Sequence, residues 1–186
     1  MDDEKILDLY WARSESAIQA TGEKYGAYCT AVAQNILRSS EDAAECVNDA
    51  YLKTWESIPP QRPAVFRVYL GKITRNLALN RYKAQHTQKR GGDEMTLLFR
   101  ELAECLPAAD HVEQDYESSL VAAAINACLR SLDSEMRMVF VRRYWYADSV
   151  RAIAQRFHMS ESRVKSMLFR TRKTLKSHLE NEGVFL

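Results

Sequence analysis

Between Ser57 and Gly92 the chain carries Arg62, Arg67, Lys72, Arg75, Arg81, Lys83, Lys89 and Arg90 and no acidic residue, although the 186-residue protein has a formal net charge of only +1. A face that serves solubility alone usually mixes both signs. At 100° per residue, Lys72, Arg75, Asn76, Leu79 and Lys83 share one side of a helix, with Val68 and Tyr69 on its flank. Cations that track phosphates, beside a ring that can stack on a base, suit a groove for single-stranded nucleic acid. A second set lies near the C-terminus, where Ser162, Arg163, Ser166, Phe169, Arg170 and Lys173 share a helix face and Lys165, Arg172 and Lys176 flank it. An arginine there can bond the edge of a guanine in the major groove, and the flanking cations suit phosphates. The plain alternative for both sets is a solvated basic surface.

Other chemistries find little support. Cys29, Cys46, Cys105 and Cys128 are scattered, with no CxxC and no histidine pair at ligand spacing, so they read as reduced thiols rather than a metal or disulfide framework. There is no nucleophile–base pair, metal cluster or phosphate loop, and hence no expectation of an enzyme, a cofactor, a metal or a small-molecule substrate. The chain begins MDDEK, acidic where a secretory signal would be basic, and no apolar run approaches a membrane span. The expected location is the cytoplasm.

The elements that must position these residues read as helices throughout. With six Gly and four Pro, a hydrophobic fraction of 46% and no sustained apolar/polar alternation, the expected fold is all-α: two small helical domains joined by a flexible acidic linker. Charge supports the division. Residues 1–56 hold eleven acids against five bases, 57–92 are +8, 93–117 hold eight acids and Arg100 alone, and 118–186 hold twelve bases against six acids. The expected domains are residues 1–92 and 113–186, with a linker over 93–112 containing a helical turn or two around Thr96 to Cys105.

In the first domain, helices are expected from Asp3 to Thr21, Glu23 to Leu37, Glu41 to Ser57 and Ala64 to His86. The third is capped by Ser39 or Ser40. The fourth buries Phe66, Leu70, Ile73 and Leu77 at steps of four and three. Pro59, Pro60 and Pro63 forbid helix and form a stiff loop leading into it. In the second domain, helices are expected over 113–130, 134–146, 149–157 and 161–180. Ser149 and Ser160 serve as N-caps, and a tight turn at His158-Met159-Ser160 completes a helix-turn-helix pattern. The third helix of the first domain also shows Glu45, Asp49, Leu52 and Glu56 on its outer face. An apolar anchor ringed by charge is how protein contacts are built, although a single exposed Leu is common on any surface.

At this point the chain resembles the bacterial RNA polymerase sigma factors of the extracytoplasmic-function type. SSEDAAECVNDAYLKTWESI is similar to the family's polymerase-binding helix, and VYLGKITRNLALNRYK to its W-L-x-x-I-A-x-N-x-x-[LI]-[DN] helix. LDSEMRMVFVRRYWYADSVRAIAQRFHMSESRVKSMLFRTRKTLK follows the C-terminal pattern ending V-K-S-x-L-x-R-[AT]-R. The resemblance implies that Glu45, Asp49, Leu52, Lys53 and Glu56 lie against the clamp helices of the polymerase largest subunit. It implies that Arg62, Tyr69, Lys72, Arg75, Asn76, Asn80 and Lys83 meet the melted −10 element of promoter DNA. It further implies that Ser160, Ser162, Arg163, Lys165, Ser166, Phe169, Arg170 and Lys173 meet the −35 element as duplex. An anti-sigma factor, membrane-bound in some members, is an implied further partner.

Three departures stand out. IPPQRP replaces the family's F-R-G-D run, Tyr69 stands in place of the usual Trp, and Arg151-Ala152 replaces an acidic pair. Two rival functions stay open at the level of sequence: a dimeric DNA-binding regulator using only the C-terminal helix-turn-helix, and a nucleic-acid enzyme with a helical accessory domain.

Overall fold

The computed structural model describes residues 1–86, 94–105 and 114–183. The chain divides into two compact units, Met1–Arg90 and Gly91–Leu186. Among the described residues every regular element is a helix.

The first unit contains α1 (Asp3–Trp11), α2 (Ser16–Leu37), α3 (Ser40–Ser57) and α4 (Phe66–His86). Helices α2, α3 and α4 pack on one another, and α1 closes against α2 and α4. The core is aromatic at one end: the Phe66 ring lies 5.8 Å from both Tyr10 and Tyr25, centroid to centroid. Ile6, Cys29, Val32, Ile36 and Leu70 continue it, all essentially without solvent contact. Each such aliphatic side chain contributes about 1.5–3 kcal/mol through burial. Ser39 caps α3 by accepting the Asp42 N–H at 3.2 Å, with Glu41 and Asp42 beside the positive end of the helix dipole.

Two features differ from the sequence expectation. The first helix stops at Trp11 rather than continuing to Thr21. Arg13 takes a left-handed backbone (φ 53°), and its guanidinium donates to the carbonyls of Trp55 at 2.7 Å and Ile58 at 3.3 Å. The corner is therefore held by a distant segment and no glycine announces it. The buried stripe of α4 is also rotated. It runs Phe66, Leu70, Thr74, Ala78, Tyr82, while Ile73 and Leu77 are only half-buried. Thr74 can lie inside because its hydroxyl donates to the Leu70 carbonyl at 2.9 Å. Gly71 lets α4 approach α2: a Cβ there would stand 2.1 Å from the Tyr28 hydroxyl.

The second unit contains α5 (Glu94–Ala103), α6 (Gln114–Ser131), α7 (Ser134–Tyr144), α8 (Val150–Arg156) and α9 (Glu161–Asn181). Helix α9 is central, packing on α6, α7 and α8. Val164, Leu168, Leu175 and Leu179 meet a core that includes Val139, Phe140 and Ile153. Side chains cap three starts: Asp133 for α7, Ser149 for α8 and Ser160 for α9. Of the residues expected inward on α6, Cys128 is fully buried, whereas Val121, Ile125 and Leu129 are half-buried. Part of the expected linker is regular structure, since α5 packs on α7 and buries Met95 and Leu98, with Cys105 just beyond its end. Residues 93 and 106–112 of that linker lie outside the described residues.

Two outcomes test this packing. Gly71→Ala should destabilise the first unit by about 1–3 kcal/mol, the usual range for overpacking, and Tyr28→Phe should return part of that loss in a double-mutant cycle read by thermal unfolding. Asp3 bonds Lys24 at 2.6 Å and the Tyr25 hydroxyl at 2.5 Å. Burial opposes its charge, but these two hydrogen bonds and the Lys24 charge outweigh it and lower the Asp3 pKa below 3.8. A carboxylate depressed on folding stabilises above its unfolded pKa, and that contribution fades as pH falls through the folded value. The stability gap between wild type and Asp3→Asn should therefore be full at neutral pH and close below about pH 4 in acid titration of unfolding.

Candidate nucleic-acid interface

In the first unit α4 turns Lys72, Asn76, Asn80 and Lys83 outward, all exposed. Arg75, expected among them, is half-buried, and burial lowers its pKa. Tyr69 is half-buried, and its hydroxyl donates to Gln61 Oε1 at 2.9 Å, tying the proline-rich loop to the start of α4. Beside it Val65 and Val68 are more than half exposed, giving Tyr69 an apolar surround on which a base could rest. Val65 falls within the helix expected from Ala64, but the observed α4 begins at Phe66, and the sequence reading did not single Val65 out. Arg62 is exposed but engages Asp8 of α1 at 2.7 Å, and Arg67 stacks over the Tyr28 ring at 4.8 Å.

On α3 the side chains of Glu45, Asp49, Leu52, Lys53 and Glu56 are all exposed, Leu52 at 56%. Lys53 pairs with Glu56 at 3.1 Å. The α4 residue Arg81 reaches across to this face, 2.8 Å from Glu45, 3.5 Å from Asp49 and 3.9 Å from Asp42. One of the eight cations counted in the basic stretch thus serves the acidic face. Spacing along α4 alone could not reveal that.

In the second unit the turn between α8 and α9 is closed by a left-handed His158 (φ 53°) and by the Met159 N–H donating to the Ala154 carbonyl at 3.0 Å. Ala154 is buried, and its small side chain lets α8 approach α9. Ser160 accepts the Arg163 N–H at 3.2 Å and starts α9. Ser162, Arg163, Lys165, Ser166, Phe169, Arg170 and Lys173 are exposed, Phe169 at 62%. Arg163 touches Glu135 at 2.7 Å in a pair exposed on both sides, and such pairs hold by only about 0–1 kcal/mol. Arg172, expected on a phosphate-facing flank, is instead drawn inward: it donates to the Tyr144 hydroxyl at 2.8 Å and lies 3.8 Å from Glu101.

The remaining reactive groups are quiet. The four cysteines are free and buried, and burial pushes the Cys46 thiol up to about 11. Among the described residues no group of His, Cys, Asp and Glu could hold a metal ion, and no helix is long and apolar enough to cross a membrane.

Comparison with known families decides what this pair of units is. Residues 23–87 match the model described as Sigma-70 region 2, and residues 122–175 match that of Sigma-70, region 4. The chain belongs to the sigma-70 family, in its extracytoplasmic-function type. It is 24% identical over 151 residues to a probable RNA polymerase sigma factor, RfaY, of Xanthomonas campestris pv. campestris, covering 81% of this chain and 37% of the relative. It is 26% identical over 149 residues to the ECF RNA polymerase sigma factor SigE of Mycolicibacterium smegmatis, covering 80% of this chain and 56% of that relative. The matched part therefore spans less than two thirds of either relative. In this sigma-70 chain the region 2 match takes in most of α2 and all of α3 and α4, and the region 4 match runs from within α6 into α9. Helices α1 and α5 lie outside both.

Removal of the α9 cap is the direct probe of how the second basic helix is held. Ser160→Ala should cost about 1 kcal/mol in denaturant unfolding of the second unit, whereas Ser162→Ala, within the first turn of α9, should leave stability within ~0.5 kcal/mol of wild type.

Proposed function

We propose that the protein directs core RNA polymerase to promoters, docking through α3 and contacting DNA through α4 and α9. The observation that carries this is the placement of charge within each unit. The first exposes a cation-and-amide face on α4 and an acidic face centred on Leu52 on α3, and the second exposes a cationic, phenylalanine-bearing face on a capped α9. A dimeric regulator would leave both faces of the first unit without a role.

The labour divides by the state of the DNA. Helix α9 enters the −35 duplex, where Arg163 or Arg170 bonds base edges and Lys165 and Lys173 take phosphates; a good bidentate base contact discriminates by about 1–3 kcal/mol. Ser162, Ser166 and the exposed Phe169 complete that face, and Ser160 fixes its start. Helix α4 meets the opened −10 strand. Lys72 and Lys83 follow phosphates, and Arg62 joins them by exchanging its solvent-exposed pair with Asp8, a pair of the kind that holds by only about 0–1 kcal/mol. Asn76 and Asn80 bond base edges, and Tyr69 with Val65 and Val68 receives an unstacked base. Arg75 supports that face from its half-buried position. Stacking returns about 1–3 kcal/mol per base, enough to offset an unstacking cost of a few kcal/mol. With polymerase holding the units at a set separation, the second DNA contact becomes intramolecular and its effective concentration rises. Leu52 is the apolar anchor of the polymerase contact, rimmed by Glu45, Asp49, Lys53 and Glu56. An anti-sigma protein is proposed as the partner that withholds the factor by covering these faces.

Run-off transcription with core polymerase and a genomic fragment library tests the reading, which requires promoter-specific transcripts; their absence would retire it. Leu52→Ala should weaken core binding by about tenfold without lowering thermal stability. Lys72→Ala combined with Asn76→Ala should leave core and duplex binding intact and depress strand opening, read by permanganate footprinting.

A further inference from the structure

Along α9, Lys165, Phe169, Arg172 and Lys176 fall in one row at helical spacing. Lys165, Phe169 and Lys176 are exposed, and Arg172 is not, with a side chain only 16% exposed. The acidic helix α5 accounts for the difference. Glu101 accepts from the Tyr144 hydroxyl at 2.9 Å, stands 3.5 Å from the fully buried Arg143 and 3.8 Å from Arg172. Tyr144 in turn accepts from Arg172 at 2.8 Å. A carboxylate of α5 thus sits among the cations of α7 and α9, as a phosphate oxygen would among arginines. Burial works against the Arg172 charge, yet the Tyr144 hydroxyl and the Glu101 and Glu104 carboxylates outweigh it and raise its pKa. Met95 and Leu98 seat the helix, and Cys105 follows immediately, 1% exposed.

We propose that Glu101 is an autoinhibitory phosphate mimic: α5, docked through it, withholds Arg172 from the row of cations on α9, and duplex DNA competes for that arginine by displacing the carboxylate. This rests on the reading of α9 as a duplex-binding helix, and it adds a contact that the free protein conceals.

The test uses the full chain, a pool of random-sequence duplex DNA and two readouts. Glu101→Gln should bind the pool several-fold more tightly than wild type, with a log K against log salt slope steeper by about one phosphate contact. In parallel, the alkylation rate of each cysteine is read by mass spectrometry. Cys105 should react at least several-fold faster in Glu101→Gln and in wild type saturated with duplex, while Cys128, buried on α6 of the same unit, keeps its rate. Tyr144→Phe, which removes one donor and keeps the ring, should give the same pattern at smaller amplitude. Equal duplex affinity and salt slope in wild type and Glu101→Gln overturn the proposal, as does a Cys128 rate that rises in step with Cys105, because Glu101 would then simply hold the unit together. If neither protein binds the pool at all, the duplex-binding reading of α9 fails and this inference falls with it; binding that is present but unchanged removes the autoinhibition alone.

Discussion

Helix α4 must bury a side against two neighbours at once, α2 and α3, and that requirement governs the first unit. A stripe of Phe66, Leu70, Thr74, Ala78 and Tyr82 goes inward, so the residues set off from it by roughly half a turn have only solvent to face. Lys72, Asn76 and Asn80 are exposed for this reason. The stripe contains a threonine and an alanine, with Gly71 beside it, which admits close approach of the helices. Where the backbones come near, the polar face is held at a defined angle to α3, and the acidic and cationic surfaces of one unit keep a fixed relation. A flexible basic tail could supply the same charges without presenting them in register.

Charge in this protein is local in two senses. Along the chain it alternates in blocks, which cancel almost completely in the total. Within each unit a large share of the arginines is engaged in structure: Arg13 at the α1–α2 corner, Arg62 with Asp8, Arg81 across α3, Arg142 with Asp148, and Arg143 and Arg172 around Glu101. The lysines are treated differently. Lys72, Lys83, Lys165, Lys173 and Lys176 remain at the surface. A guanidinium has five donors in a planar fork and tolerates burial beside carboxylates and carbonyls, whereas an ammonium is strongly hydrated and stays at the surface. The basic surface available to a polyanion is accordingly richer in lysine than a count of cations implies.

Much of the fold was legible in the sequence. The caps at Ser39, Ser149 and Ser160, the Pro59–Pro63 loop, the helix-turn-helix turn and the outward set on α9 all depend on interactions spanning three or four residues, and a linear reading captures those. The acidic ring around Leu52 was legible for the same reason. The misread features share a different cause. The end of α1 at Trp11 depends on carbonyls 42 and 45 residues away. The rotation of the α4 stripe depends on what α2 and α3 offer at Gly71 and Thr74. The inward turn of Arg172 depends on Tyr144 and Glu101, the latter in a segment that composition alone marks as a connector.

The sequence by itself determined that the chain would form helices, where most of them start, that they group into two units of opposite bias from the acidic stretches around them, and which helix faces are polar. Those properties follow from periodicity, capping and net charge, each a matter of near neighbours. Only the tertiary structure decided which of the polar residues remain available to a partner. A cation on a helix face is open or engaged according to what the next helix brings within about 4 Å of it, and that neighbour lies 36 residues distant for Arg81 and Glu45.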